Sequence, residues 1–495
     1  MTTRNPVALS ASMAAVIALL AWSASAGAQD LRVAVGSEPT TLDPQLMSDG
    51  GERLVNQNIY EPLIDRVTSG NLAPVLAAEL PRLVNPTTWE LKIREGIKYQ
   101  NGEPFDASVA AAAIERIIDP NYKSRQLYQV VTIKHAEAVD ATTLRITTSE
   151  VDPTLPTRLM FLQMVPKEAS KRPDFADNPV GTGPYRLAEW VKGTRVVLEA
   201  SPSWRGAKVT IPRAQFRFVP DASVRLAGLL AGDFDLINNI APEDIKRAPQ
   251  AAEVDGLFHN FLVLNALDGI TKDARVRQAL NYAIDKQALA KDLYEGYASP
   301  AKGQFIGRDS TGWSDRIAPY PYDPERARKL IKEAGVEGQP LELIGTGGRW
   351  LKDRETIEAV AAYWSTIGLK VTVRMFEFRE FLNRLGDRNN RPMAIFSSAA
   401  NNQLDADRMI TSYLTAGRNF SSSADESINK LIGPARNELD PAKRNQLYHV
   451  ILSTAREEAY FAFLLNYKDL YGMSKRLQWK PRADQQMLIK EMAFR

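Results

Sequence analysis

The chain reads as an α/β protein, and three observations carry that class. Residues 85–117 (NPTTWELKIREGIKYQNGEPFDASVAAAAIERI) set a strand, a tight hairpin and a helix one after another. From residue 270 onward, helix-period and strand-period segments alternate, as βα units around a mainly parallel sheet do. The 495 residues include no cysteine, so a large apolar core must hold two or three domains together without disulfide staples.

The elements follow in order. Residues 1–28 have the make-up of a secretory signal: Arg4 as a short basic start, an apolar run SMAAVIALLAW, and Ala26-Gly27-Ala28 before Gln29. The run is too short for a bilayer, which needs about 20 apolar residues. A strand is predicted at Leu31–Val35, and a helix over 52–66 that NIYEPL (58–63) closes. Trp89, Leu91 and Ile93 alternate with Glu90, Lys92 and Arg94, the period of a strand with one wet face. Asn101-Gly102 is a turn pair because both residues tolerate positive φ. Asp106 caps a helix whose apolar positions are Val109, Ala113, Ile114 and Ile117. The stretch NPVGTGPY (178–185) has the Gly and Pro density of forced backbone geometry. It precedes a strand pair, Arg186–Trp190 and Arg195–Ala200.

Further on, Arg213–Val219 reads as a strand and Ala222–Leu230 as a helix ending at Gly232. Asp273 starts a long helix with Val276, Leu280, Ala283, Ile284 and Leu293 on one face, closed by Gly296. Asp323-Pro324-Glu325 opens another that Gly335 ends. Leu341–Ile344 is a strand, Ile357, Val360, Ala361 and Trp364 mark a helix ending at Gly368, and Leu369, Val371 and Val373 alternate in the next strand. A short helix near 377–385 and a strand at Met393–Phe396 follow.

Six segments then resemble one family, in order. They are GSEPTTLDP (36–44), NIYEPLI (58–64), the 85–117 stretch, NPVGTGPYRLAEW (178–190), RVRQALNYAIDKQAL (275–289) and YDPERARKLIKEAG (322–335). The chain resembles the extracytoplasmic solute-binding proteins of peptide, nickel and opine ABC importers, and dipeptide- and oligopeptide-binding proteins most clearly. That resemblance implies the large three-domain type of the two-lobed periplasmic-binding-protein fold, with a ligand cleft between lobes and a two-segment hinge. The implied division is a signal at 1–28, a discontinuous first domain at 29–74, 179–267 and 469–495, an inserted domain at 75–178, and a second lobe at 268–468. The crossings are expected near Leu264–Ala266 and Tyr467–Tyr471. The function implied is capture of a peptide-like, opine-like or other polar organic solute by lobe closure and delivery to an inner-membrane permease with a cytoplasmic ATPase. Dipeptide or oligopeptide binding proper, and binding of a nickel-type metal chelate, are the alternatives. The resemblance also implies a monomer. Without a lipid-bearing cysteine, the expected compartment is a periplasm.

The resemblance further assigns ligand contacts. Dipeptide binders of the family place an arginine before the helix that here contains Trp364, and Arg349 stands at about that position. Its fork of donors suits a carboxylate, and Trp350 beside it can stack on a ligand. The family's amine-binding aspartate follows an aromatic that ends a strand. Phe396 fills the aromatic position, but Ala399 stands where the aspartate belongs. Either Asp405 or Asp407 replaces it, or the ligand has no α-amine there; the second is expected. Ser397, Ser398, Asn401 and Asn402 would suit a neutral polar or hydroxylated ligand. The loop with Asp49 and Gly50 matches cleft-lining backbone of oligopeptide binders, and Tyr467 lies near the second crossing.

Other functions find little support. There is no G-x-S-x-G, H-E-x-x-H or P-loop sequence, so no catalytic residue is assigned and no cofactor is expected. His135, His259 and His449 lack metal-ligand spacing. The formal net charge is +3, with both signs interleaved, which excludes an electrostatic footprint for nucleic acid.

Overall fold

The computed structural model describes residues 30–495 except 48, 49, 68, 69, 348 and 388. The signal-like segment and Asp49 therefore lie outside the described residues. An 11-stranded mixed sheet organises the chain. Its order is Lys370–Phe376, Pro340–Thr346, Ala394–Ala400, Gln250–Leu264, Phe461–Met473, Leu236–Asn238, Asp30–Val35, Arg213–Phe218, Arg195–Ala200 and Tyr185–Val191. Ala298–Pro300 pairs with Phe461–Met473 off this path.

Two long strands join the halves of this sheet. Gln250–Leu264 and Phe461–Met473 pair antiparallel, from Gln250 opposite Met473 to Val263 opposite Phe461. The pairing breaks between Asp255 and His259. On the Gln250–Asp255 side of the break Phe461–Met473 also pairs with Leu236–Asn238; beyond it Gln250–Leu264 also pairs with Ala394–Ala400. These long strands correct the expectation of a mainly parallel sheet. The pairs around Pro340–Thr346 and around Asp30–Val35 are parallel, but every pair made by the two long strands is antiparallel.

A second, antiparallel sheet runs Arg82–Asn85, Thr88–Lys92, Thr143–Thr148, Ile133–Asp140. Here the 85–117 reading holds residue by residue. Trp89 and Leu91 are buried and Lys92 is exposed. Gly102 turns at φ 89°. Asp106 accepts from Ser108 N at 2.8 Å and Val109 N at 3.0 Å, and helix Ala107–Ile118 buries Val109, Ala113, Ile114 and Ile117.

Two helices differ from expectation. The helix expected over 52–66 ends at Asn56, and Ile64–Arg66 is a strand. Ile59 cannot stay helical because its carbonyl accepts from Gly183 N at 2.8 Å. The long helix after Asp273 stops at Tyr282. Asp285 then starts a new short helix by accepting from Ala288 N at 2.9 Å, as an aspartate competing for backbone donors does.

Three apolar cores form. One gathers Leu31, Tyr60, Trp89, Ile114, Phe216 and Met492. A second gathers Leu262, Leu280, Trp364 and Phe396. A third gathers Phe261, Phe305, Tyr413 and Phe461 on the other face of the same strands.

Candidate functional site

Strand Ala394–Ala400 extends further than Met393–Phe396 predicts, so Ser397 and Ser398 are strand residues rather than loop residues. Alternation then separates them. Phe396 is fully buried in the second core. Ser397 faces the third core, where its hydroxyl lies 3.0 Å from the Tyr413 hydroxyl. Ser398 returns to the Phe396 face and meets the Tyr467 hydroxyl at 3.3 Å.

On that face a cluster forms around the loop after strand Pro340–Thr346. Asp353 fixes the loop, accepting from Arg349 N at 3.0 Å, Trp350 N at 3.1 Å and Thr346 Oγ1 at 3.1 Å. Trp350 packs against Phe378 and Phe396, with ring centroids 6.2 and 6.1 Å apart. The half-buried Arg349 guanidinium lies 4.4 Å from the centre of the Phe378 ring. Burial pulls its pKa below the ordinary arginine range, and Tyr467 and Asp353 oppose that shift. Tyr467 stacks between Phe258 and Tyr294, and burial pushes its phenol well above the usual value. Arg349, Trp350, Ser398 and Tyr467 thus come together, and Phe396 supports Trp350 from beneath.

The residues after the strand face the other half of the molecule. Asn401 donates to Ser310 Oγ at 2.9 Å, and its own Oδ1 has no hydrogen-bond partner among the described residues. Asn402 lines a small cavity of about 20 Å³ with Arg53, Gln57, Phe161, Asp484 and Gln485. Its Oδ1 and the Gln57 amide nitrogen are also buried and without partners among the described residues. Gln403 Nε2 donates to Gln129 Oε1 at 2.9 Å, and its carbonyl accepts from Arg66 at 3.3 Å. Gly50 opens helix Gly50–Asn56, one turn before Arg53 and Leu54.

Neither aspartate considered as a substitute for Ala399 is open. Asp405 caps helix Ala406–Tyr413, pairs with Arg444 and accepts from Tyr448 at 3.0 Å. Burial still pushes it up to about 6. Asp407 accepts from Arg158 at 2.8 Å and Arg436 at 3.0 Å. Ala399 itself sits opposite His259. Burial holds that imidazole below its ordinary pKa, and its Nδ1 lies 2.7 Å from Asn466 Oδ1.

Sequence reasoning missed Arg53, Gln57, Phe161, Asp484 and Gln485. They come from segments with no common pattern, and only folding brings them to one cavity. Asp469 is also missed. Its one cue is a carboxylate late in the apolar run FAFLLNYKDLYGM.

The chain is similar to known solute-binding proteins. Residues 71–421 match the model of bacterial extracellular solute-binding proteins, family 5 middle. The glutathione-binding protein GsiB of Escherichia coli (strain K12) is 27% identical over 484 residues, covering 93% of this chain and of that protein. Among solved structures, NikA from Brucella suis in complex with Fe(III)-EDTA has a TM-score of 0.85 at 22% identity, covering 94% of this chain and 100% of that one. DppA from Helicobacter pylori in complex with peptide STSA has a TM-score of 0.82 at 21% identity, covering 94% and 98%. At these identities the structures show a shared fold.

Proposed function

The chain belongs to family 5 of the bacterial extracellular solute-binding proteins, and from that premise we propose which solute it holds and how. It is the solute-binding component of an ABC import system, in a non-enzymatic family. Its solute is a small peptide-like, opine-like or other polar organic acid. Arg349 receives a carboxylate, Trp350 stacks on the solute, and Ser398, Tyr467 and Asn402 supply polar contacts. A guanidinium partly removed from water binds an anion more strongly than an exposed one. Asp405, capping its helix and paired with Arg444, plays no part in this reading, nor does Ser397, which faces Tyr413.

The observation that carries the reading is the cavity where Asn402 meets Arg53, Phe161 and Gln485. Gln57 Nε2 and Asn402 Oδ1, from segments far apart in sequence, are buried there without partners among the described residues. Buried polar groups are otherwise almost always satisfied, so a solute that completes them stabilises the joined state.

The proposed division is 29–74, 179–267 and 469–495, an insert at 75–178, and a lobe at 268–468; the insert packs into one core with the first domain, and the third core lies largely within the lobe. The hinge lies where strand pairing breaks, between Asp255 and His259 and beside Tyr467. This is upstream of the first crossing expected from sequence. Closure buries the solute, and the solute's contacts with both lobes stabilise the closed state. The protein works as a monomer in the periplasm and docks on a permease in the inner membrane. Residues 1–28 and the absence of cysteine support that compartment.

A thermal-shift screen over glutathione, dipeptides, opines and metal chelates tests this proposal, because binding to the folded state raises the melting temperature. Stabilisation by an organic acid that Arg349→Ala abolishes is the expected result. Stabilisation that Arg349→Ala leaves intact removes Arg349 from the site.

A further inference from the structure

Among the described residues, three acids near the cleft pair with arginines and Asp469 pairs with no cation. Asp405 has Arg444, Asp407 has Arg158 and Arg436, and Asp484 has Arg482. Asp469 is 2% exposed, and the charged group acting on it is another acid, Asp484. Its Oδ1 accepts from Gln485 Nε2 at 2.5 Å. Its Oδ2 is buried with no hydrogen-bond partner among the described residues.

Its position ties it to the site. Asp469 lies two residues beyond Tyr467 in the same strand, so both side chains project from one face. Tyr467 acts electrostatically on Arg349, and Asp469 acts on Tyr467. Gln485, which holds Asp469, also lines the cavity with Asn402. Across the break in strand pairing, a Cβ on Gly256 would stand 2.8 Å from Asp469 Oδ2. Glycine there lets the backbone pass close to the carboxylate without a side chain against Oδ2.

We propose that Asp469 receives a cationic group of the solute, so that the cleft takes zwitterions: a carboxylate at Arg349 and an ammonium or amidinium group at Asp469. This inference rests on the assignment of Arg349 to the solute carboxylate. A buried carboxylate without a cation is costly, and a charge-assisted partner offsets that cost. Burial pushes Asp469 up to about 7 in the solute-free protein, the direction that an arriving cation reverses. On this proposal the receiving carboxylate comes from the crossing strand rather than from position 399.

The test uses two matched pairs of probes in titration calorimetry: Ala-Glu against propionyl-Glu, and Ala-Ala-Glu against propionyl-Ala-Glu. Each pair differs by the ammonium alone. The full mature protein should bind an amine-bearing member about tenfold or more tightly than its partner. Asp469→Asn, which keeps the acceptor for Gln485, should erase that difference. Equal affinities in the unmodified protein, a preference that survives Asp469→Asn, or binding of neither pair each overturns the inference. Arg349→Ala is run on the same probes. If it weakens both members of a pair that show no amine preference, the carboxylate assignment stands and Asp469 alone falls. If it weakens neither, the carboxylate assignment falls by itself.

Discussion

Arg158 Nη2 donates to Asp407 Oδ2 at 2.8 Å, and the two side chains are 4% and 3% exposed. The pair joins the proposed insert to the proposed second lobe at a place away from Arg349. Asp407 also accepts from Arg436, which lies 3.4 Å from Glu150, and Glu150 accepts from Asn437 at 3.1 Å. A polar seam thus closes the molecule beside the cavity. Asp407→Ala takes a shared acceptor from two arginines whose remaining carboxylate partners are Asp152 at 3.5 Å and Glu150 at 3.4 Å, so the loss should stay below the roughly 3–5 kcal/mol of a fully broken buried pair. The expected outcome is a lower unfolding free energy in denaturant titration, or a larger radius of gyration in X-ray scattering as the lobes part. If neither changes, the seam contributes nothing to the joined state.

Arg349→Ala should weaken an anionic solute by about tenfold or more, the scale of a lost charge-assisted hydrogen bond. Calorimetry on the solute found by screening measures this directly. The guanidinium also covers the Phe378 ring, so Arg349→Lys, which keeps charge but loses the fork, should recover only part of the affinity.

Ala399→Asp places a carboxylate directly across from His259. Opposed residues of an antiparallel pair bring their Cβ atoms within about 5.5 Å. A new anion there favours the imidazolium and raises a pKa that burial now lowers. Histidine titration by NMR should show His259 moving upward. An unmoved His259 would mean that the two side chains do not share a face.

Gly183 lies against the backbone of Asn58 and Ile59. A Cβ there would stand 2.6 Å from Ile59 O and 2.8 Å from Asn58 O. Backbone cannot step aside as a side-chain tip can, so Gly183→Ala should destabilise the fold by about 1–3 kcal/mol, the usual cost of overpacking. Thermal unfolding reads this as a lower midpoint.

Asp469 gives stability a pH dependence with a definite sign. Its folded pKa, pushed up to about 7, exceeds the unfolded value of about 3.9. The folded state therefore holds more protons between these values, and this group's contribution falls as pH rises from about 4 to 7. Gln485, Asp484, Tyr467 and Tyr471 surround it, and none supplies a compensating cation. Asp469→Asn should flatten that slope in denaturation measured from pH 4 to 8, and a slope that persists assigns it to another group.

Much of the fold was legible in local pattern, because caps and turns act within a few residues. Asp106, Asp323 and Gly232 stand where helix chemistry requires them. The failures are non-local. Ile59 leaves its helix because Gly183, far along the chain, takes its carbonyl, and the sheet is mixed because two crossing strands pair with each other. The site divides the same way. Arg349 and Trp350 carry a local cue, the Gly loop before a helix. Arg53, Gln485 and Asp469 carry almost none, since their meeting depends on where the C-terminal segment returns.

Native mass spectrometry of the mature protein as purified, followed by denaturation, tests the central claim most directly. The account predicts a retained small organic acid bearing a cationic group, lost on denaturation and absent from Arg349→Ala. A protein that carries no such mass, and that no organic acid stabilises, would contradict it.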